Sequence, residues 1–190
     1  MIDNCSQKGL YKIRNSSRKI VLCGIFAALT GVGAMISVPL GPVPINMVHI
    51  PIFLSAWILG PKLAMLAQIV YILMGIVGLP VFSGFTAGLG HVIGPAGGFI
   101  WSYPVVAFVS GCIFKMTKLK LLLKLIIGIV TGWSISYIVG TAYYIFLTGV
   151  PVSAAIGSCI IPFLPGDICK SIVTYILIIR LRNIGRTLGK

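Results

Sequence analysis

The sequence predicts an all-α integral membrane protein of six transmembrane helices, with N- and C-termini cytoplasmic and an outward-facing ligand pocket. Three observations lead there. Of 190 residues, 58% are hydrophobic and only 9% charged, and the mean hydropathy is +1.09. A soluble domain of this length could not cover so much apolar area with so few polar groups. Breaker-rich segments divide the chain into six apolar runs. The basic residues gather at alternate junctions between those runs, which is the positive-inside pattern and suits an anionic leaflet.

Taken in order, residues 1–19 are a basic cytoplasmic segment carrying Lys8, Lys12, Arg14, Arg18 and Lys19. The first span runs over 20–38, with no small-residue cleavage site after it, so it is read as retained. An outer loop follows from Pro39 to Asn46, rich in Pro and Gly. The second span covers 47–59, Gly60-Pro61-Lys62 makes a tight inner turn, and the third covers 63–77. A long Gly-rich outer segment occupies 78–98. The fourth span covers 99–114, an inner loop carries Lys115, Lys118 and Lys120, and the fifth covers 122–147. Residues 148–166 are outer, with room for a short helix; the sixth span covers 167–180. The membrane domain is thus 20–182, and 183–190 is a basic cytoplasmic tail. No internal repeat is evident, which counts against a carrier built from two related halves.

The charge also excludes functions. A net charge of +13 suggests nucleic acid, but its placement at loop ends argues for orientation in a membrane instead. The five cysteines show no C-x-x-C spacing and are odd in number, so neither a disulfide framework nor a zinc site is expected. His49 and His91 do not form a metal-ligand pair at helical spacing, and no G-x-S-x-G elbow or phosphate-loop pattern occurs. No enzyme, metal or cofactor is expected.

The most informative residue is Asp167. It is the only acidic residue after Asp3, and it lies in the apolar stretch Pro162-Phe-Leu-Pro-Gly-Asp-Ile-Cys-Lys170. Ionisable groups at membrane depth are costly, face cavities and are functional candidates. The run from Asp167 to Ile179 gives a helix of about 20 Å against roughly 30 Å of hydrocarbon. If Arg180 marks the inner surface, Asp167 sits about 10 Å below the outer one, so the outer loops must dip inward and line a cavity. Lys170 is three residues on, hence on the same helix face. One reading makes Asp167 an N-cap after Pro-Gly, neutralised by Lys170. The other has the pair bind a polar, roughly neutral urea- or amide-like ligand, since it offers both an acceptor and donors. Phe82, Phe85, Phe99, Tyr143 and Tyr144 can supply apolar walls. Asn46 and Ser83 can bond a ligand or close their own turns. Gly24, Ala27, Ala28, Gly31 and Ala34 form a small-residue face on the first span, suited to packing inside the protein or to docking a partner subunit.

With these residues in hand, the chain resembles the BioY family, the biotin-binding substrate-capture (S) components of energy-coupling-factor transporters. The resemblance rests on Gly41-Pro-Val-Pro44, Leu59-Gly-Pro-Lys62, Gly78-Leu-Pro-Val-Phe82 with the glycines after it, Gly94-Pro-Ala-Gly-Gly-Phe99 and the Pro162–Lys170 stretch, in family order across about 20–182. It implies six helices around an outward-facing biotin pocket. Asp167 and Lys170 would contact the vitamin, and the loops at 39–46 and 78–98 would close over it; the outer loops hold no obvious basic partner for its carboxylate, which leaves Lys170, His91, backbone amides or solvent to meet it. It also implies docking of the first span on a transmembrane coupling (T) subunit, through Gly24, Ala27, Ala28 and Gly31. Two separate ATPase subunits would drive uptake across the bacterial plasma membrane. The chain departs from many relatives at Asn46 and Val48, where they carry Thr and Gln. It also departs at Ser83, which falls near a ligand-contacting Asn of some relatives. The alternatives are an S component for another vitamin, a self-sufficient ion-coupled carrier using Asp167, and, last, a membrane enzyme. Lys170 counts against a cationic vitamin such as thiamine.

Overall fold

The structure, a computed structural model, describes residues 3–38, 43–116 and 120–187, with side chains described over 17–38, 43–116 and 120–181. Residues 39–42 of the first expected loop, Lys118, and the side chains of Lys8, Lys12, Arg14, Arg182, Arg186 and Lys190 therefore lie outside the described residues.

The chain is mostly helical. Its order is α1 (Asp3–Met35), β1 (Ser37–Val38), β2 (Ile45–Asn46), α2 (His49–Leu59), α3 (Pro61–Ile76), α4 (Leu89–Ile93), α5 (Gly97–Phe114), α6 (Leu121–Thr148), α7 (Val152–Cys159) and α8 (Phe163–Thr187). Among the described residues, three segments are long and apolar enough to cross a membrane: Ser17–Met35, Gly97–Phe114 and Leu121–Thr148. A fourth results if Val152–Cys159 and Phe163–Leu181, bent by 40°, count as one span. The expected second and third spans correspond to α2 and α3, of 11 and 16 residues. At about 16 and 24 Å they fall short of the hydrocarbon thickness on their own.

A short apolar helix lies at the centre. α2 packs on α1, α3, α5 and α8. Its sequence, HIPIFLSAWIL, is apolar on nearly every side, as a helix surrounded by others must be. Pro51 is tolerated because it falls in the first turn, where backbone N–H groups have no helical partner. Gly60 then turns the chain with φ +78°, and Pro61 starts α3. This is the tight turn the sequence marks, with glycine supplying the positive φ and proline pre-set for a helix start.

The alternation of helices sorts the cations. Among the described side chains, Arg18, Lys19, Lys62, Lys115, Lys120, Lys124 and Arg180 all lie toward the end of the bundle where α2 finishes and α6 begins. Lys124 stacks its ammonium 5.0 Å from the Trp57 ring there. Lys170 is at the opposite end, where α2 and α5 begin. The flanks carry exposed apolar side chains, among them Ile25 and Leu29 of α1, Trp101 of α5, Ile126 and Ile138 of α6, and Ile172 of α8. A surface so continuously apolar fits lipid rather than water.

Three expectations need correction. α8 starts at Phe163, not at Asp167. Asp167 is consequently inside the helix and does not cap it. Pro165 misleads as a helix breaker: as the third helical residue it sits where a missing N–H costs nothing. The small-residue face of α1 is two faces. Ala27 and Ala34 are fully buried, and a Cβ on Gly31 would meet Val81 at 3.2 Å. Gly24 and Ala28 are exposed, and a Cβ on Gly24 would meet nothing within 4 Å. Finally, two helices run past the expected spans, with α1 extending back to Asp3 and α8 on to Thr187.

Candidate functional site

At the end of the bundle away from the basic cluster, the helix ends and two connecting segments enclose a cavity. The first segment is the β1–β2 pair, with Ser37 opposite Asn46 and Val38 opposite Ile45. The second is the chain from Ile76 to Gly97, which carries a bridge between Phe82 and Thr86 and the short α4. They are tied together: the Asn46 amide donates to Ser83 Oγ at 3.0 Å, and the Gly84 N–H donates to Ser37 Oγ at 3.1 Å. The lining includes Val43, Pro44 and Asn46 from the first segment and Phe82, Ser83 and His91 from the second. The helices contribute His49, Tyr71, Phe99, Tyr103, Ser136, Tyr137, Phe163 and Lys170. The cavity and its open mouth together enclose about 520 Å³ of empty space.

Two aromatic walls depend on glycine. Phe82 lies against Gly75 of α3 and Phe99 against Gly140 of α6, each so close that a Cβ at the glycine would overlap the ring. Phe82 also packs edge-on to Tyr71 at 5.7 Å and stacks with His91 at 5.3 Å, so three of the lining residues hold one another. Thr86 Oγ1 lies 3.2 Å from His91 Nδ1. Partial burial shifts the His91 imidazole downward from its ordinary value, because desolvation disfavours the charged ring.

The polar cluster is built on α8. Lys170 Nζ donates to Asp167 Oδ1 at 2.6 Å, and the two side chains are only 4% and 1% exposed. The Tyr137 hydroxyl of α6 donates to the other carboxylate oxygen. Below them, Ser171 and Thr174 bond back to the carbonyls of Asp167 and Lys170. This arrangement satisfies a charge pair that desolvation would otherwise penalise heavily. Both carboxylate oxygens are engaged, so Asp167 stands behind Lys170 and Tyr137 and is not itself part of the lining. What the cavity meets are Lys170 and Tyr137, with Asp167 fixing their orientation.

Of the residues singled out in the sequence, Asn46, Phe82, Ser83, His91 and Lys170 come together in the lining. Tyr143 does not. It lies on the face of α6 toward α4 and donates its hydroxyl to the Ile93 carbonyl at 2.8 Å, outside the cavity. Sequence reading missed Tyr71, Tyr103 and Tyr137, as well as His49 and Ser136. The available signal was chemical: a tyrosine or histidine inside an otherwise apolar helix needs a partner for its polar atoms. Among the described residues, no group of three or more His, Cys, Asp or Glu side chains could hold a metal ion.

Comparison with known proteins gives a consistent result. The family model described as the BioY family matches residues 6–187. The Thermotoga maritima protein described as biotin transporter BioY is 36% identical over 167 residues, which cover 88% of this chain and 97% of that protein. A Pyrococcus horikoshii protein described as a probable biotin transporter BioY is 34% identical over 167 residues, covering 88% and 98%. Among solved structures, the S-component for biotin from an ECF-type ABC transporter superposes with a TM-score of 0.81 at 25% identity, covering 90% of this chain and 93% of that one.

Proposed function

The chain belongs to the BioY family, and from that membership we propose that it is the biotin-capturing S component of an energy-coupling-factor importer, not an enzyme. The observation that carries the reading is the buried Asp167–Lys170–Tyr137 cluster bordering a cavity with aromatic walls. In relatives described as biotin transporters the chain finds its match over nearly their whole length. Biotin joins a neutral cyclic urea to an apolar bicycle and an acidic tail. Lys170 and the Tyr137 hydroxyl, oriented by Asp167, suit the urea, and Phe82 and Phe99 suit the ring system. Asn46 and Ser83 border the mouth. His91, also in the lining, is a candidate for the tail carboxylate.

In this reading the membrane domain is 20–182, flanked by basic segments 1–19 and 183–190, and the basic end of the bundle faces the cytoplasm. The cavity then opens outward, α2 and α3 complete a set of six membrane helices, and the segments around 43–46 and 78–97 part to admit the vitamin. A T component and two ATPase subunits supply the energy, with docking on the open strip of α1 at Gly24 and Ala28, the part of the small-residue set that the chain does not use itself.

Calorimetric titration of the detergent-solubilised protein with biotin, in the absence of ATP, tests the function. Saturable one-to-one binding that thiamine and riboflavin do not compete away supports it. No binding of biotin, or tighter binding of another vitamin, removes it. Gly24→Leu is expected to leave that titration unchanged while abolishing biotin uptake in cells that supply the partner subunits. Normal uptake would exclude this strip from docking.

A further inference from the structure

One cavity residue has polar atoms that the protein leaves unanswered. His49, the first residue of α2, is only 9% exposed and lines the cavity. Neither Nδ1 nor Nε2 has a hydrogen-bond partner among the described residues. The ring is held in place by apolar contact instead: it stacks on Phe53 at 6.0 Å and meets the edge of Tyr103 at 6.0 Å. The Asp167–Lys170 pair is its charged neighbour, but those two groups bond to one another and to Tyr137.

Several other polar groups in the lining have side-chain partners. Asn46 bonds Ser83, Ser136 receives the Ser102 hydroxyl at 3.2 Å, and Tyr137 holds Asp167. Gln68, Trp133 and Thr141 also have unpartnered buried atoms, but none of them lines this cavity. An imidazole taken out of water with both nitrogens unbonded is costly to bury. A packing role would be filled at less cost by phenylalanine, which has the same stacking partners and no polar atoms to satisfy.

We propose that His49 is a ligand-contacting, specificity-determining residue: one ring nitrogen hydrogen-bonds the polar head of the bound molecule at the cavity floor. The inference rests on reading the cavity as a biotin site, and for biotin the head is the cyclic urea. A neutral imidazole carries one donor and one acceptor. It can donate to a urea oxygen or accept from a urea N–H, and it offers no charge to an ionic head. This is selection by uncharged hydrogen bonding, in addition to anything Lys170 contributes.

The test uses the full chain in detergent with 15N-labelled histidine. The protein has two histidines, and the spectrum of His49→Phe assigns the signals. Adding biotin is expected to shift one His49 ring nitrogen, and H49F is expected to weaken biotin binding about tenfold, the loss of one buried hydrogen bond. If biotin binds the wild type but the His49 signals do not move, the contact is absent, whatever H49F does to affinity. An H49F affinity within twofold of wild type also overturns the inference and leaves the biotin site standing. If the wild type does not bind biotin at all, the reading of the site falls and this inference falls with it. Should H49F fail to fold, the nitrogen shifts of the wild type, assigned instead through His91→Gln, decide alone.

Discussion

The two ends of the bundle treat positive charge in opposite ways. At one end Arg18, Lys19, Lys62, Lys115, Lys120 and Arg180 are exposed. At the other, Lys170 is 4% exposed and held at 2.6 Å by a carboxylate that is itself 1% exposed. Exposed cations cost little to keep, and they act together, through their number and side, on orientation in the membrane. A buried pair contributes weakly to stability relative to apolar packing, and its retention calls for another reason. Among the described residues, the same residue type is thus solvated and unpaired with acid at one end, and desolvated and ion-paired at the other.

Substitutions at the two ends sharpen that contrast. The largest effect is expected from Lys170→Met, which leaves Asp167 buried without its cation. Breaking a buried pair on one side destabilises by about 3–5 kcal/mol, so thermal unfolding in detergent should show a large loss and biotin binding should vanish. A stability near wild type would mean the carboxylate is easily neutralised or hydrated, and the contrast between the ends would dissolve. Asp167→Asn is expected to do less: it keeps the shape, loses the charge-assisted bonds from Lys170 and Tyr137, and weakens biotin binding by about 1–3 kcal/mol. Unchanged affinity in a biotin titration would remove Asp167 from the recognition apparatus. The smallest effect belongs to the far end. Lys62→Gln removes an exposed charge in the first turn of α3, and both stability and biotin affinity should stay within about 0.5 kcal/mol of wild type. A larger shift in affinity would show that the two ends communicate.

Much of this architecture is legible in the chain because its punctuation is strong. Gly60-Pro61 ends one helix and begins the next, and Lys115 closes α5. The lone acid at 167 identifies the polar centre, since no other carboxylate competes for the role. What escapes reading is orientation about each helix axis. α5 and α6 are apolar on both their inward and outward sides, so Tyr103 and Tyr137 look no different from residues facing lipid. The small residues of α1 mislead for the same reason: Ala27 and Gly31 turn inward while Gly24 and Ala28, on the neighbouring strip, do not. Periodicity separates faces only where the two sides differ in polarity, and in a lipid-facing helix they do not. Pro165-Gly166 misplaces the start of α8 because a first turn tolerates what a helix interior does not.

The pairing of Lys170 with Asp167 has an electrical consequence. An unbalanced elementary charge displaced across the whole bilayer changes in energy by about 2.3 kcal/mol for every 100 mV of membrane voltage. The paired charges sum to zero, so carrying the pair as a unit along that voltage costs no net electrical work, unlike moving a lone Asp167 or Lys170.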